Sequence, residues 1–130
     1  MLSCVLYGQY DPPDGYYNDA SGLTGTALRN AVYEIINDHT WYPYTSGSTD
    51  TWDILDSADQ DPDNSSNILD VYKNASYTKE GGGNSNYNRE HTWPKSYGFE
   101  KLENYNYPYT DCHALFLAFD DYNSSRTNKP

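Results

Sequence analysis

Basic residues are few in this chain: 8 Lys and Arg stand against 19 Asp and Glu, a formal net charge of −11. A protein that gripped a polyanion by electrostatics alone would show a basic stripe and a high pI, so that class is excluded. Any phosphate partner has to be met by a few local cations or through a bound metal. Aliphatic side chains are scarce too. Leu, Ile, Val and Phe number 19 of 130 residues, a level that with this charge is common in disordered chains. Fifteen Tyr and three Trp argue for a folded, core-poor domain instead, because large aromatic side chains carry a core when aliphatics run short. Two cysteines, Cys4 and Cys112, are too few for a disulfide framework, and one bridge or two thiols both remain open. The opening "MLSCVLYGQ" is too short for the apolar region of a signal peptide and far too short to cross a membrane. Residues 1–15 read either as an ordinary N-terminal segment or as the remnant of an export signal.

The charge that is present is unevenly spread. Residues 1–78 hold 2 basic and 12 acidic side chains, whereas residues 79–130 hold 6 and 7. From Leu23, apolar Ala27, Leu28, Ala31, Val32, Ile35 and Ile36 recur on one 3.6-residue stripe, which predicts an amphipathic helix over 23–38 with Ser21, Thr24 or Thr26 as cap. "TDTWDILDSA" (49–58) predicts a shorter helix capped by Thr49 or Asp50. Asp59, Asp61, Asp63, Ser65, Asn67 and Asp70 alternate as in a calcium-binding loop. Pro62 within that loop, Asn64 where Gly is needed and Asp70 where a bidentate Glu belongs favour a solvated acidic loop. "NILDVY" (67–72) reads as a strand, and "TKEGGGNSN" as a flexible connection.

The cations gather around "YNREHTWPKSYGF" (87–99), where a strand-like run reaches Glu90 and His91 and stops before Pro94. Neighbours in a strand face opposite sides, so joint service in one site requires the backbone to leave strand geometry there. Taken alone, the dipeptide reads as a buried His beside a surface Glu. A second segment, "YTDCHALFLAFDDYNSSRTNKP" (109–130), adds Asp111, His113, Asn123, Arg126 and Asn128 around an apolar run that reads as a strand leading into a short helix. Glu90 and Asn123 are oxygen ligands suited to a hard cation, Mg²⁺ first and Ca²⁺ or Mn²⁺ as alternatives, with a phosphate completing the shell.

These two segments, together with "YYNDASGLTGTALRNAVYEIINDHT" and "DQDPDNSSNILDVY", resemble the bacterial endonuclease I group of the His-Me finger (ββα-metal) nucleases over residues 16–130. The resemblance implies an α+β fold with a His-Me finger core and an N-terminal amphipathic helix. It places the motif's Glu-His on Glu90 and His91, its Asp-x-His on Asp111 and His113, and its Asn-x-x-Arg-x-Asn on Asn123, Arg126 and Asn128. His91 is then the general base, Glu90 and Asn123 the ligands of one divalent cation, Arg126 and Arg89 phosphate contacts, and Asp111, His113 and Asn128 supporting groups. The implied protein is a secreted or periplasmic, sequence-nonspecific endonuclease acting on DNA, or also on RNA, with no membrane or protein partner. A noncatalytic acidic binding module on the same scaffold is the alternative. Leu117 and Ala114 depart from the family pattern, and residues 92–110 offer only Lys95 and Lys101 where some relatives supply an Arg. Members usually continue beyond "RTNKP", so the domain is expected to be incomplete at its C-terminus.

Overall fold

The computed structural model describes residues 12–37, 39–99 and 106–129. The chain divides into two compact units, residues 1–40 and 41–130. In the first, Pro12, Pro13, Asp14 and Gly15 lead through a turn into a short 3-10 turn, Asn18–Ala20, and then into helix α1, Gly25–Ile36. The helix begins two residues later than its stripe suggests. Thr24 occupies the N-cap position in extended geometry, and Gly25 makes the bend with a φ of 57° that a side chain would resist. No residue of α1 is buried: Ala31, Val32 and Ile35 are half-buried, and Leu28 and Ile36 are exposed. The first eleven residues, and with them Cys4 and most of the expected N-terminal segment, lie outside the described residues.

The second unit is built from helix α2 (Thr51–Ala58), a hairpin of β1 (Asn67–Leu69) and β2 (Ser76–Thr78), and an antiparallel pair, β3 (Tyr87–His91) and β4 (Leu115–Phe119). A four-residue helix, α3 (Tyr107–Thr110), precedes β4, and α4 (Asp120–Arg126) follows it directly. Asp50 is the cap of α2: its carboxylate accepts from Trp52 N at 2.7 Å, and Asp53 returns the bond to Asp50 N at 3.0 Å. The core consists of Trp52, Leu55, Ile68, Tyr87, Leu115 and Leu117, with Tyr44, Tyr77 and Cys112 packed against it. Aromatics thus supply the volume that the aliphatic count could not. Burial pushes the Cys112 thiol up to about 11.

The acidic loop is not the solvated feature expected from its composition. Residues 62–66 are exposed, but Asp61 and Asp70 are buried and Asp59 is half-buried. Each closes backbone donors that would otherwise be orphaned. Asp59 Oδ2 accepts from Leu117 N at 2.7 Å, and Asp61 accepts from Asp63 N at 2.9 Å and from the Ser76 hydroxyl at 2.5 Å. Asp70 accepts four amides: Tyr72, Lys73 and Ala75 at 3.0 Å and Phe119 at 3.2 Å. The bonds from Leu117 N to Asp59 and from Phe119 N to Asp70, with Val71 N donating to Leu117 O at 3.0 Å, cover the edge of β4 that faces away from β3.

Candidate active site

Strand β3 pairs with β4 in the register Asn88↔Ala118, Arg89↔Leu117, Glu90↔Phe116 and His91↔Leu115. Pairing therefore runs through both Glu90 and His91, and Thr92 N still donates to Ala114 O at 3.0 Å. The expected departure from strand geometry does not occur. Alternation sends Asn88 and Glu90 toward α4, and Arg89 and His91 toward Tyr44, Trp52 and Tyr109. Glu90 and His91 nevertheless line one pocket of about 250 Å³, which wraps around the strand's end and is shared with Lys95, Asn123, Arg126 and Asn128. Both are buried, so the reading of a buried His with a surface Glu fails as well. A larger cavity of about 680 Å³ lies in the first unit, but its lining holds one carboxylate, Asp14, and no His.

His91 is held in one tautomer. Its Nε2 lies 2.9 Å from the Tyr109 carbonyl, which only accepts, so Nε2 carries the proton and the neutral ring keeps its lone pair on Nδ1. Tyr44 stacks on the imidazole at 5.7 Å and 22°, and Tyr109 meets it edge-on at 5.1 Å. Burial lowers the His91 pKa; the Tyr109 carbonyl opposes that, and Lys95 and Arg89 add to it. The ring is thus neutral at pH 7 and able to take a proton.

Glu90 is paired with the Arg126 guanidinium, and the Tyr72 side chain, like Arg126, favours its ionised form. Its pKa is raised all the same, because burial outweighs both partners. Arg126, expected at a phosphate, donates as well to the carbonyls of His91 at 3.4 Å and Thr92 at 3.1 Å, and so ties α4 to the exit of β3. Asn123 projects from α4. Its Nδ2 donates to the Arg89 carbonyl at 3.1 Å and to Asn88 Oδ1, and Asn88 in turn donates to Asp120. Since the Arg89 carbonyl can only accept, the amide orientation follows and Oδ1 faces the other way. Glu90 and Asn123 both line the pocket, and a carboxylate with an amide oxygen is the donor chemistry that suits one hard divalent cation retaining several waters.

Arg89 also lines the pocket, but its guanidinium is engaged by neighbouring groups. Its guanidinium lies between the Tyr44 and Trp52 rings, 3.4 and 4.0 Å from their centroids, and donates to Tyr44 O, to Thr51 Oγ1 at 2.7 Å and to Thr45 Oγ1 at 3.0 Å. Asp111 and His113 are not brought to the pocket. They close the turn before β4, with His113 Nδ1 and N each 2.9 Å from Asp111 Oδ1. Asn128 lines the pocket, and its carbonyl accepts from the Tyr97 hydroxyl at 3.0 Å. Residue-type reasoning missed Asn88, although its place two residues before Glu90 on the same face of β3 was a usable signal. The Tyr109 carbonyl carries no such signal, because any residue type supplies one.

The family model described as Endonuclease I matches residues 24–130. The chain belongs to the endonuclease I family. It is 38% identical over 122 residues to an extracellular ribonuclease of Bacillus subtilis (strain 168), an alignment covering 92% of this chain and 40% of that protein. It is 40% identical over 116 residues to an extracellular ribonuclease of Bacillus amyloliquefaciens, covering 87% of this chain and 38% of that protein. The chain thus spans about two-fifths of the length of these relatives. No solved structure matches it. The family match contains β3, β4, α4 and every residue of the pocket.

Proposed function

We propose that the pocket at the β3–β4–α4 junction is a His-Me finger active site that hydrolyses phosphodiester bonds of nucleic acid without base specificity. The observation that carries this reading is His91, its Nε2 anchored on the Tyr109 carbonyl, beside a carboxylate and an oriented amide oxygen in one pocket. His91 Nδ1 removes the proton from a water as the water attacks phosphorus; a depressed pKa keeps it unprotonated at neutral pH. Glu90 and Asn123 would hold one divalent cation, Mg²⁺ in preference, which when bound supplies positive charge to the phosphate and the leaving oxygen. Lys95, with Nζ on the pocket wall 3.2 Å from the Tyr109 hydroxyl, adds positive charge where the substrate phosphate enters. Arg89 and Arg126 act on this reading as braces for Tyr44 and for Glu90.

The relatives' names support RNA as a substrate beside DNA, and secretion as the destination. Cleavage of labelled RNA and of plasmid DNA with Mg²⁺ and with EDTA tests the reading. His91→Ala is expected to lose at least 100-fold in turnover, the scale of a general base, while calorimetry shows retained Mg²⁺ binding. Glu90→Ala is expected to lose the metal. Equal loss of metal by both variants, or cleavage untouched by EDTA, refutes this division of roles.

A further inference from the structure

Two large aromatic side chains stand in the open immediately beyond the pocket: Trp93 is 58% and Tyr97 56% exposed. Single exposed aromatics are ordinary, but these two are fixed against each other. Their rings meet nearly edge to face, 6.3 Å apart at 73°, and Trp93 Nε1 donates to Tyr97 O at 3.2 Å. The Tyr97 hydroxyl donates at 3.0 Å to the carbonyl of Asn128, which is itself on the pocket wall. Between the two rings the chain makes a tight 3-10 turn, Lys95–Tyr97, pinned by Tyr97 N to Pro94 O at 2.9 Å and Phe99 N to Lys95 O at 3.0 Å. Pro94 and Lys95 from this segment line the pocket. Trp93 follows His91 by two residues, so its backbone lies within about 7 Å of the base.

We propose that Trp93 and Tyr97 form a stacking platform for the nucleobase next to the phosphate in the pocket, and that the site therefore prefers single-stranded nucleic acid. The proposal rests on the nuclease reading for its phosphate. A strand whose phosphate is met by Lys95 carries its adjacent base onto the open ring faces. Aromatic stacking accepts every base, which agrees with a site that has no base-reading element. In a duplex the base faces are already stacked on their neighbours, so a duplex has to unstack before it gains the contact. The hydrogen bonds that fix the two rings remove the ordering cost that free side chains would meet on binding. In so acidic a chain, stacking also supplies affinity that does not depend on positive charge.

The test measures binding of a fluorescent oligoadenylate, of an abasic strand of equal length and of the matching duplex to the His91→Ala protein with Mg²⁺ at low ionic strength. Cleavage is followed separately on the wild type. The base-bearing strand is expected to bind about 5- to 150-fold tighter than the abasic strand, the range for one stacked base, and tighter than the duplex. Adding Trp93→Ala is expected to bring the ratio of base-bearing to abasic binding close to one, and Trp93→Phe to restore most of it. Equal binding of the base-bearing and abasic strands, a ratio unchanged by Trp93→Ala, or no binding of any strand overturns the platform. Wild-type cleavage alongside the first two of these leaves the nuclease reading standing without it. Base-dependent binding that needs Trp93, with no cleavage by the wild type, keeps the platform and refutes the nuclease.

Discussion

Replacing Arg89 by Met separates two roles that the same residue could have at this site. As a phosphate contact, Arg89 would affect cleavage and leave stability alone. As the brace seen between Tyr44 and Trp52, it has a stability cost that can be worked from its contacts. Three hydrogen bonds from a charged donor, to Tyr44 O, Thr51 Oγ1 and Thr45 Oγ1, are worth about 1.5 kcal/mol each, and two cation–π contacts about 1 kcal/mol each. Desolvation opposes them. Burial lowers the guanidinium pKa, and Nε is buried without a partner among the described residues, so several kcal/mol come back when the charge is removed. Met also fills part of the space between the rings. The net expected loss is about 2–4 kcal/mol, a shift of about 1–2 M in the urea midpoint at an m value of about 2 kcal/mol per M. Intrinsic fluorescence is a suitable probe, because Trp41, Trp52 and Trp93 all lie in the second unit and Trp52 touches Arg89. Arg89→Lys, which keeps the charge but not the fork, is expected to recover less than half of the loss. A midpoint within about 0.3 M of wild type, together with a large fall in cleavage that Lys restores, would refute the brace.

The remaining expectations concern other parts of the second unit. Asp70→Ala strips four amides of their buried acceptor and is expected to cost about 3–5 kcal/mol in urea unfolding, whereas Asp70→Asn, which keeps Oδ1 and its three bonds, costs about 1–2 kcal/mol; equal costs would show that the carboxylate is not the hub. The acid limb of the cleavage profile is expected to have its midpoint below 6.5, because the folded-state His91 pKa is lowered, and Lys95→Gln is expected to raise that midpoint by removing a neighbouring positive charge. In stability the same shift makes the unfolded state bind more protons, so the His91 contribution is complete above pH 6.5 and is lost as pH falls through the lower folded value. The raised Glu90 pKa acts in the opposite sense: its contribution is present below about 4.5 and is lost as pH rises through the folded value. Urea midpoints of His91→Gln and Glu90→Gln across pH 4 to 7.5 resolve the two. Thr127, a β-branched residue at a φ of 52° on the pocket rim, is expected to give about 1 kcal/mol of added stability as Thr127→Gly, read as a rise in thermal midpoint.

Sequence alone carried what depends on near neighbours in the chain. The α1 stripe, the cap at Thr49 or Asp50 and the β3 run up to Pro94 are local patterns of period, capping chemistry and missing donors, and the structure has a helix, an Asp50 cap and a strand within a residue or two of them. Glu90, His91 and Asn123 also line one pocket, since a strand, a second strand and a helix in close succession have few ways to pack. What local pattern could not supply was the partner of each charged group. Whether an Asp meets water or a backbone amide depends on which amides the fold leaves without partners, and Asp59 and Asp70 turned inward because the outer edge of β4 lies against them. The pleat put Glu90 and His91 on opposite faces, and only the helix behind one face and the aromatic layer behind the other made a single pocket at the strand's end. The surroundings of Arg89 were set in the same way: it lines the pocket, and the face it shares with His91 is walled by Tyr44 and Trp52, which lie 45 and 37 residues before it in the chain.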